Sequence, residues 1–220
     1  MKILVFAAHP DDAETTVAGS IGVYIKKGHS VHIVNMTNKG GPRVACAEKS
    51  ADIFGATVEF LPFEDSGECS DQSRNNLGVQ FDSEHLNTVL QTIELHKPDL
   101  VWAHWPVDTH PDHIATGALV LRACDLLRLE EKLVPDLWFF SPCLGYQALC
   151  FKPDIFIDVT EFIELKKQVI AVYNGVVPIM DLYKMEEEVM KYNGFQHGCF
   201  FAEGFVRCNF RIGKPRYEVI

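Results

Sequence analysis

The chain has 220 residues and a mass of 24.8 kDa, with 47% hydrophobic and 23% charged residues. These are globular proportions, which exclude a disordered or low-complexity chain, and the length suits one domain, 1–220. Thirty acidic against twenty basic residues give a net charge of −10, and no Lys/Arg run occurs, so nucleic acid and anionic membrane are poor partners.

Lys2–Ala8 reads as a short, continuously apolar, buried strand. It stops at His9-Pro10-Asp11-Asp12, short of the roughly 7–15 apolar residues of a leader and the roughly 20 of a membrane span. Thr15–Lys27 reads as a helix, with Val17, Ile21, Tyr24 and Ile25 on one face and Gly28 as its stop. Ser30–Met36 is the next strand. Pro42–Phe54 is a helix, with Pro near its first turn and Gly55 after its end. Thr57–Leu61 is a strand, and the polar stretch Glu64–Gln80 reads as a loop and lid. A helix then opens at Asp82 or Ser83, with Leu86, Val89, Leu90 and Ile93 at helical spacing, and stops at Lys97-Pro98. Asp99–His104 is a strand, Trp105–Asp112 a loop and Ile114–Leu129 a long helix. Asp136–Ser141 and Ile155–Val159 read as strands, Phe162–Tyr173 and Asp181–Tyr192 as helices, and Phe200–Phe210 as a last strand. Alternation at this spacing predicts an α/β fold: a three-layer sandwich with a mainly parallel sheet and helices on both faces.

Seven cysteines, at 46, 69, 124, 143, 150, 199 and 208, are odd in number and form no C-x-x-C pair. They read as free thiols of a reducing, cytoplasmic setting.

Two polar clusters leave strands. Ala8-His9-Pro10-Asp11-Asp12-Ala13-Glu14 follows the first, and Asp108-Thr109-His110-Pro111-Asp112-His113 follows the fourth. Either alone reads as turn chemistry, with Pro fixing φ and Asp capping a helix. Ligands of parallel sheets bind beyond the carboxyl ends of the strands, so together the clusters predict one shared site. Two His and a carboxylate with a fourth position open is the ligand set of a catalytic zinc ion. Of Asp11 and Asp12, one can bind the ion while the other takes a proton from its water. Of His110 and His113, one can be a ligand while the other faces the reacting oxygen or leaving group.

These residues closely resemble the LmbE-like (PIG-L) zinc-dependent N-deacetylases. Weaker matches extend the resemblance over nearly the whole chain: Lys97–Val101, Arg43 ahead of Phe54-Gly55, Asp158-Val159 ahead of Lys166, and Ala202-Glu203-Gly204-Phe205. The resemblance implies a Rossmann-like fold, removal of acetyl groups from N-acetylglucosaminyl-type substrates or glycoconjugates, and Zn2+ as cofactor, with Fe2+ the second candidate. By position it implies metal ligands at His9, Asp12 and His113, and a general base at Asp11. His110 becomes the imidazole that stabilises the oxyanion or protonates the amine. Asp112 becomes the carboxylate that orients a neighbouring His, while Arg43 contacts substrate and Asp65 binds a hydroxyl. It also implies a homo-oligomer.

Departures from the family pattern lie on the substrate side. Asn38-Lys39-Gly40-Gly41 stands where many members have a Gly-Glu pair, Gly175-Val176 where a Ser-Gln pair is frequent, and Phe201 where an aromatic hydroxyl often precedes Ala-Glu. The expectation is retained deacetylase chemistry with a preference shifted toward an anionic conjugate, drawn by Arg43 and Lys39. Two other readings compete. A non-haem iron oxygenase would use His9, Asp11 and His113, with Arg122 as a keto-acid anchor. A non-catalytic sugar-binding protein would have no use for a base beside a metal. Elsewhere, His29, His32, His85 and His96 read as surface or satisfied-core residues. His104 and His197 are candidates for the site rim, and Trp105 for its wall. Glu14 reads as a helix-dipole partner or as a residue that orients His9.

Overall fold

The structure is a computed structural model that describes residues 1–38, 41–67, 78–130, 132, 135–142, 148–177 and 182–209. In chain order its elements are β1 (Lys2–Ala7), α1 (Asp12–Thr16), α2 (Ala18–Lys26), β2 (Ser30–Thr37), α3 (Pro42–Phe54), β3 (Thr57–Phe63) and α4 (Ser83–His96). There follow β4 (Leu100–His104), α5 (Pro111–Leu129), β5 (Asp136–Phe140), β6 (Ile155–Asp158), α6 (Ile163–Ala171), α7 (Leu182–His197) and β7 (Ala202–Cys208). The sheet has seven strands in the order β3-β2-β1-β4-β5-β7-β6. β1 to β5 are parallel neighbours, and β7 runs antiparallel between β5 and β6. This is the α/β architecture that the alternation predicts.

Strands β1 and β4 are buried on both faces, as an apolar run in a parallel sheet must be. Odd positions of β1 (Ile3, Val5, Ala7) pack with Ile21, Tyr24, Trp102 and Phe205 on one side of the sheet. Even positions (Leu4, Phe6) pack with Val89, Ile93, Leu119 and Val120 on the other. None of the described helices is long and apolar enough to cross a membrane.

The helix expected over Thr15–Lys27 is instead two helices that meet at Val17, where φ is −121° and no side chain of the turn caps α2. The cap comes from the far end of the chain. The buried Glu203 carboxylate of β7 accepts the amides of Gly19 (2.9 Å) and Ser20 (2.7 Å), satisfying donors that a helix start leaves open. Lys166 of α6, fully buried, donates to Glu203 at 2.8 Å and to the Thr16 carbonyl at 3.0 Å. The segment after β6 lies so close to α2 that a Cβ on Gly19 would stand 2.6 Å from Val159 Cβ. Several other bounds differ: α5 begins at Pro111 rather than Ile114, because Pro is well placed in a first turn, β3 runs on to Phe63, α6 spans Ile163–Ala171, α7 runs on to His197 and β7 spans Ala202–Cys208. Residues 68–77 of the expected lid lie outside the described residues, as do Lys39 and Gly40, Cys69 and Cys143.

Candidate active site

The strand order reverses between β1 and β4, since β2 follows β1 on one side and β5 follows β4 on the other. A crevice opens at the carboxyl ends of the strands at such a point. Both polar clusters enter it: His9 to Asp12 from β1, and His104 to His113 from β4 and the start of α5.

His9, Asp12 and His113 are all buried, and one ligand atom of each lies within 4.8 Å of the others. Asp12 Oδ2 is 3.4 Å from His9 Nδ1, and Asp12 Oδ1 is 3.5 Å from His113 Nε2. Two atoms each about 2.1 Å from a tetrahedral ion would stand about 3.4 Å apart, so spacing and donor chemistry both suit a zinc-like cation. The outward nitrogens of both imidazoles meet carboxylates. His9 Nε2 is 2.9 Å from Asp112 Oδ2, and His113 Nδ1 is 3.4 Å from Asp108 Oδ2. This carboxylate–histidine pairing sets the tautomer and ring direction of a ligand.

The electrostatics follow from this packing. Burial opposes the Asp12 charge, but His113 and His104 outweigh it and hold the carboxyl well below the usual range. Burial alone would lower the pKa of His113, yet Asp12 and Asp108 push it up to about 10, so the pocket between the two carboxylates calls for a positive charge. His104, stacked on His113 with centroids 4.3 Å apart, has its pKa lowered to about 4 by burial and then by His113. Its Nε2 accepts the Ala8 amide at 2.9 Å.

Asp11 turns the other way. Its φ of 141° is a conformation that a side-chain-bearing residue rarely adopts, and strain of this kind clusters at functional sites. Its carboxylate Oδ2 meets Arg43 Nη1 at 3.2 Å. His110 sits beside the ligand rings, with centroids 4.8 Å from His9 and 4.5 Å from His113. Burial, then His113 and His9, lower its pKa to about 3, so the ring is neutral. The Asp112 amide donates to its Nδ1 at 3.3 Å, which leaves the proton on Nε2. His9, His110 and Asp112 also form a second group of close donor atoms that shares His9 with the first.

Asp112 is fully buried. Its Oδ2 accepts Ser66 N (3.0 Å) and Ser66 Oγ (2.8 Å) besides His9, and its Oδ1 accepts Val79 N at 2.8 Å. Gly78, at φ +64°, passes so close that an added Cβ would collide with Asp112 Oδ1. The described flanks of the Glu64–Gln80 stretch are thus tied to the site. Asp65 Oδ2 lies 4.0 Å from His9 Nε2.

All eight residues singled out in the sequence therefore lie in or beside one crevice: His9, Asp11, Asp12, Arg43, Asp65, His110, Asp112 and His113. Arg43, read as a substrate contact, also pairs with Asp11. Asp12 groups with the imidazoles of His9 and His113, while Asp11 pairs with Arg43. The oxygenase reading fares badly, because Asp11 is the wrong carboxylate, the scaffold is α/β, and Arg122 pairs with Asp125 at 2.9 Å on α5. Asp108 and Ser66 carried no role in the sequence reading, and their contacts with His113 and Asp112 arise only on folding. His104 reaches the site, whereas His197 stacks near Phe156 with centroids 5.9 Å apart. Glu14 accepts a hydrogen bond from Tyr173 at 2.9 Å, and burial raises its pKa to about 8. Trp105 donates to the Leu149 carbonyl and packs on Phe139 and Phe151.

Residues 4–124 match the family described as PIG-L: GlcNAc-PI de-N-acetylase. The chain belongs to the PIG-L family. Among curated relatives, a probable N-acetyl-alpha-D-glucosaminyl L-malate deacetylase 2 of Bacillus subtilis is 26% identical over 202 residues, which cover 85% of this chain and 88% of the relative. The diacetylchitobiose deacetylase of Thermococcus kodakarensis is 23% identical, with 92% and 81% covered. The PIG-L fold here is also similar to that of GalB, the 4-carboxy-2-hydroxymuconate hydratase of Pseudomonas putida. That likeness has a TM-score of 0.77 and 21% identity, and covers 98% of this chain and 99% of that one.

Proposed function

We propose that the protein is a metal-dependent hydrolase that removes the acetyl group from an N-acetylated amino sugar or its conjugate, as one catalytic domain over 1–220. The observation that carries this reading is the convergence of His9, Asp12 and His113 on one point, with the strained Asp11 adjoining Asp12, in a PIG-L chain. The names of the two curated relatives give the reaction class.

In this reading His9, Asp12 and His113 hold zinc, or iron(II) in its place. A cation held there would polarise the acetyl carbonyl and make a neighbouring water more acidic. Asp11 takes a proton from the attacking water as the new C–O bond forms on the acetyl carbon. Arg43 Nη1, 3.2 Å from Asp11 Oδ2, holds that carboxylate in place. His110, neutral with its proton on Nε2, donates a hydrogen bond to the oxygen that gains charge. That role follows from its geometry, since Nδ1 accepts the Asp112 amide and the proton stands on Nε2. The proton held by Asp11 passes to the nitrogen as the C–N bond breaks, and acetate and the free amine leave. Asp112 and Asp108 position the ligand rings, and Asp65 meets a sugar hydroxyl.

The test is acetate release from neutral and anionic N-acetylglucosaminides, using chelated protein reloaded with zinc or iron(II). Metal-dependent release supports the reading, with the anionic members turned over faster. No release from any member with either metal, while His113→Ala and wild type bind metal alike, overturns it.

A further inference from the structure

A second group of donors stands at the opposite end of the sheet. His32 lies near the start of β2, Glu59 near the start of β3, and His96 is the last residue of α4. His32 pairs in register with Leu4, five residues before His9, so about 16 Å of strand separates this group from the crevice. His32 and Glu59 face α4 on one side of the sheet, and the α4 C-terminus brings His96 over them. The two imidazoles stack with centroids 4.2 Å apart and planes 24° apart. They share one carboxylate oxygen: Glu59 Oε1 is 3.3 Å from His32 Nε2 and 3.1 Å from His96 Nε2.

We propose that His32, Glu59 and His96 form a second binding site for a zinc-like divalent metal ion, which fastens the end of α4 to the edge of the sheet. Three features support it. The two nitrogen–oxygen distances fall within a few tenths of an ångström of the edge of a zinc coordination tetrahedron, about 3.3 Å. His32 Nδ1 lies 2.6 Å from Thr57 Oγ1, so the ring's far nitrogen is engaged and Nε2 is turned to the carboxylate, the orientation that a metal-bound imidazole needs. The three side chains are 19%, 34% and 27% exposed, so an ion can enter from solvent and keep water in its fourth position. Hydrogen bonding satisfies only His96, since the buried His32 Nε2 makes no hydrogen bond, whereas an ion would engage both nitrogens.

The site is independent of the deacetylase reading, because it shares no residue with the crevice. The experiment is equilibrium dialysis of the full chain against Zn2+, with the metal counted per chain, for wild type, His96→Gln and Glu59→Gln. Circular dichroism shows whether each variant stays folded. The expected result is one zinc fewer per chain in His96→Gln, whatever the crevice binds, and weakened binding of that same zinc in Glu59→Gln. Zinc-soaked crystals give an answer that needs no variant: an anomalous peak between the three side chains. Equal zinc counts in wild type and a folded His96→Gln, or no such peak beside a loaded crevice, would overturn the proposal.

Discussion

Asp112→Asn separates the support of a ligand from the ligand itself. The carboxylate serves four donors: His9 Nε2, Ser66 N and Ser66 Oγ on Oδ2, and Val79 N on Oδ1. An amide has one oxygen. If that oxygen stays with the three donors, the new NH2 group faces the Val79 amide, and two buried donors abut. A hydrogen bond to a charged group contributes about 1.5–3 kcal/mol and an unsatisfied buried donor costs about 1–3 kcal/mol, so the fold should lose about 3–5 kcal/mol. His9 loses a negative partner as well, and such partners typically alter metal affinity about 10–100-fold. Urea unfolding of chelated protein reads the first effect, and competition with a chromophoric chelator reads the second. The pH dependence has a definite sign. Burial opposes the Asp112 charge, but His9 and Ser66 prevail and depress its pKa, so its contribution is present above the unfolded value near 4 and is lost as pH falls through the folded one. The variant should flatten that acid limb. A folded Asn variant that binds metal as tightly as wild type would refute the reasoning and leave Asp112 as an anchor for the Ser66–Val79 flanks alone.

Asp11→Asn should keep its metal and lose about 10²–10⁴ in turnover, whereas His113→Ala should empty the site; metal content measured beside rate tests both. The burial of Glu14 gives a pH dependence of opposite sign. With its folded pKa raised to about 8, chelated wild type should lose stability as pH rises from about 4.5 through 8, and Glu14→Gln should remove that slope in urea midpoints. Lys166→Met leaves Glu203 without its cation, and breaking a buried pair costs about 3–5 kcal/mol. A melting temperature unchanged from wild type would show that the Gly19 and Ser20 amides suffice for Glu203.

What could be read before folding, and what could not, divides along one physical line. Most of the candidate site residues crowd into the short segments that leave β1 and β4, because a parallel sheet exposes all its carboxyl ends at one edge and the reversal of strand order opens a crevice there. A strand followed by His9 to Asp12, and another followed by Asp108 to His113, is therefore visible as pattern. The groups that hold those residues in place come from distant parts of the chain. Ser66 reaches Asp112 across 46 residues, and Glu203 caps α2 from more than 180 residues away. The break at Val17 was invisible for this reason, since the apolar spacing of Val17, Ile21 and Tyr24 runs through it without interruption. Asp11 lies between the two cases. Its type and place are legible, but its direction depends on a backbone turn to φ 141° that no spacing rule anticipates. That one angle gives neighbouring, chemically identical carboxylates different partners, Asp12 among the imidazoles and Asp11 on Arg43. A hydrolase that needs both a ligand and a base can draw them from adjacent residues only if the backbone turns between them. In the proposed mechanism, the strain at Asp11 would be the device that makes two roles out of one dipeptide.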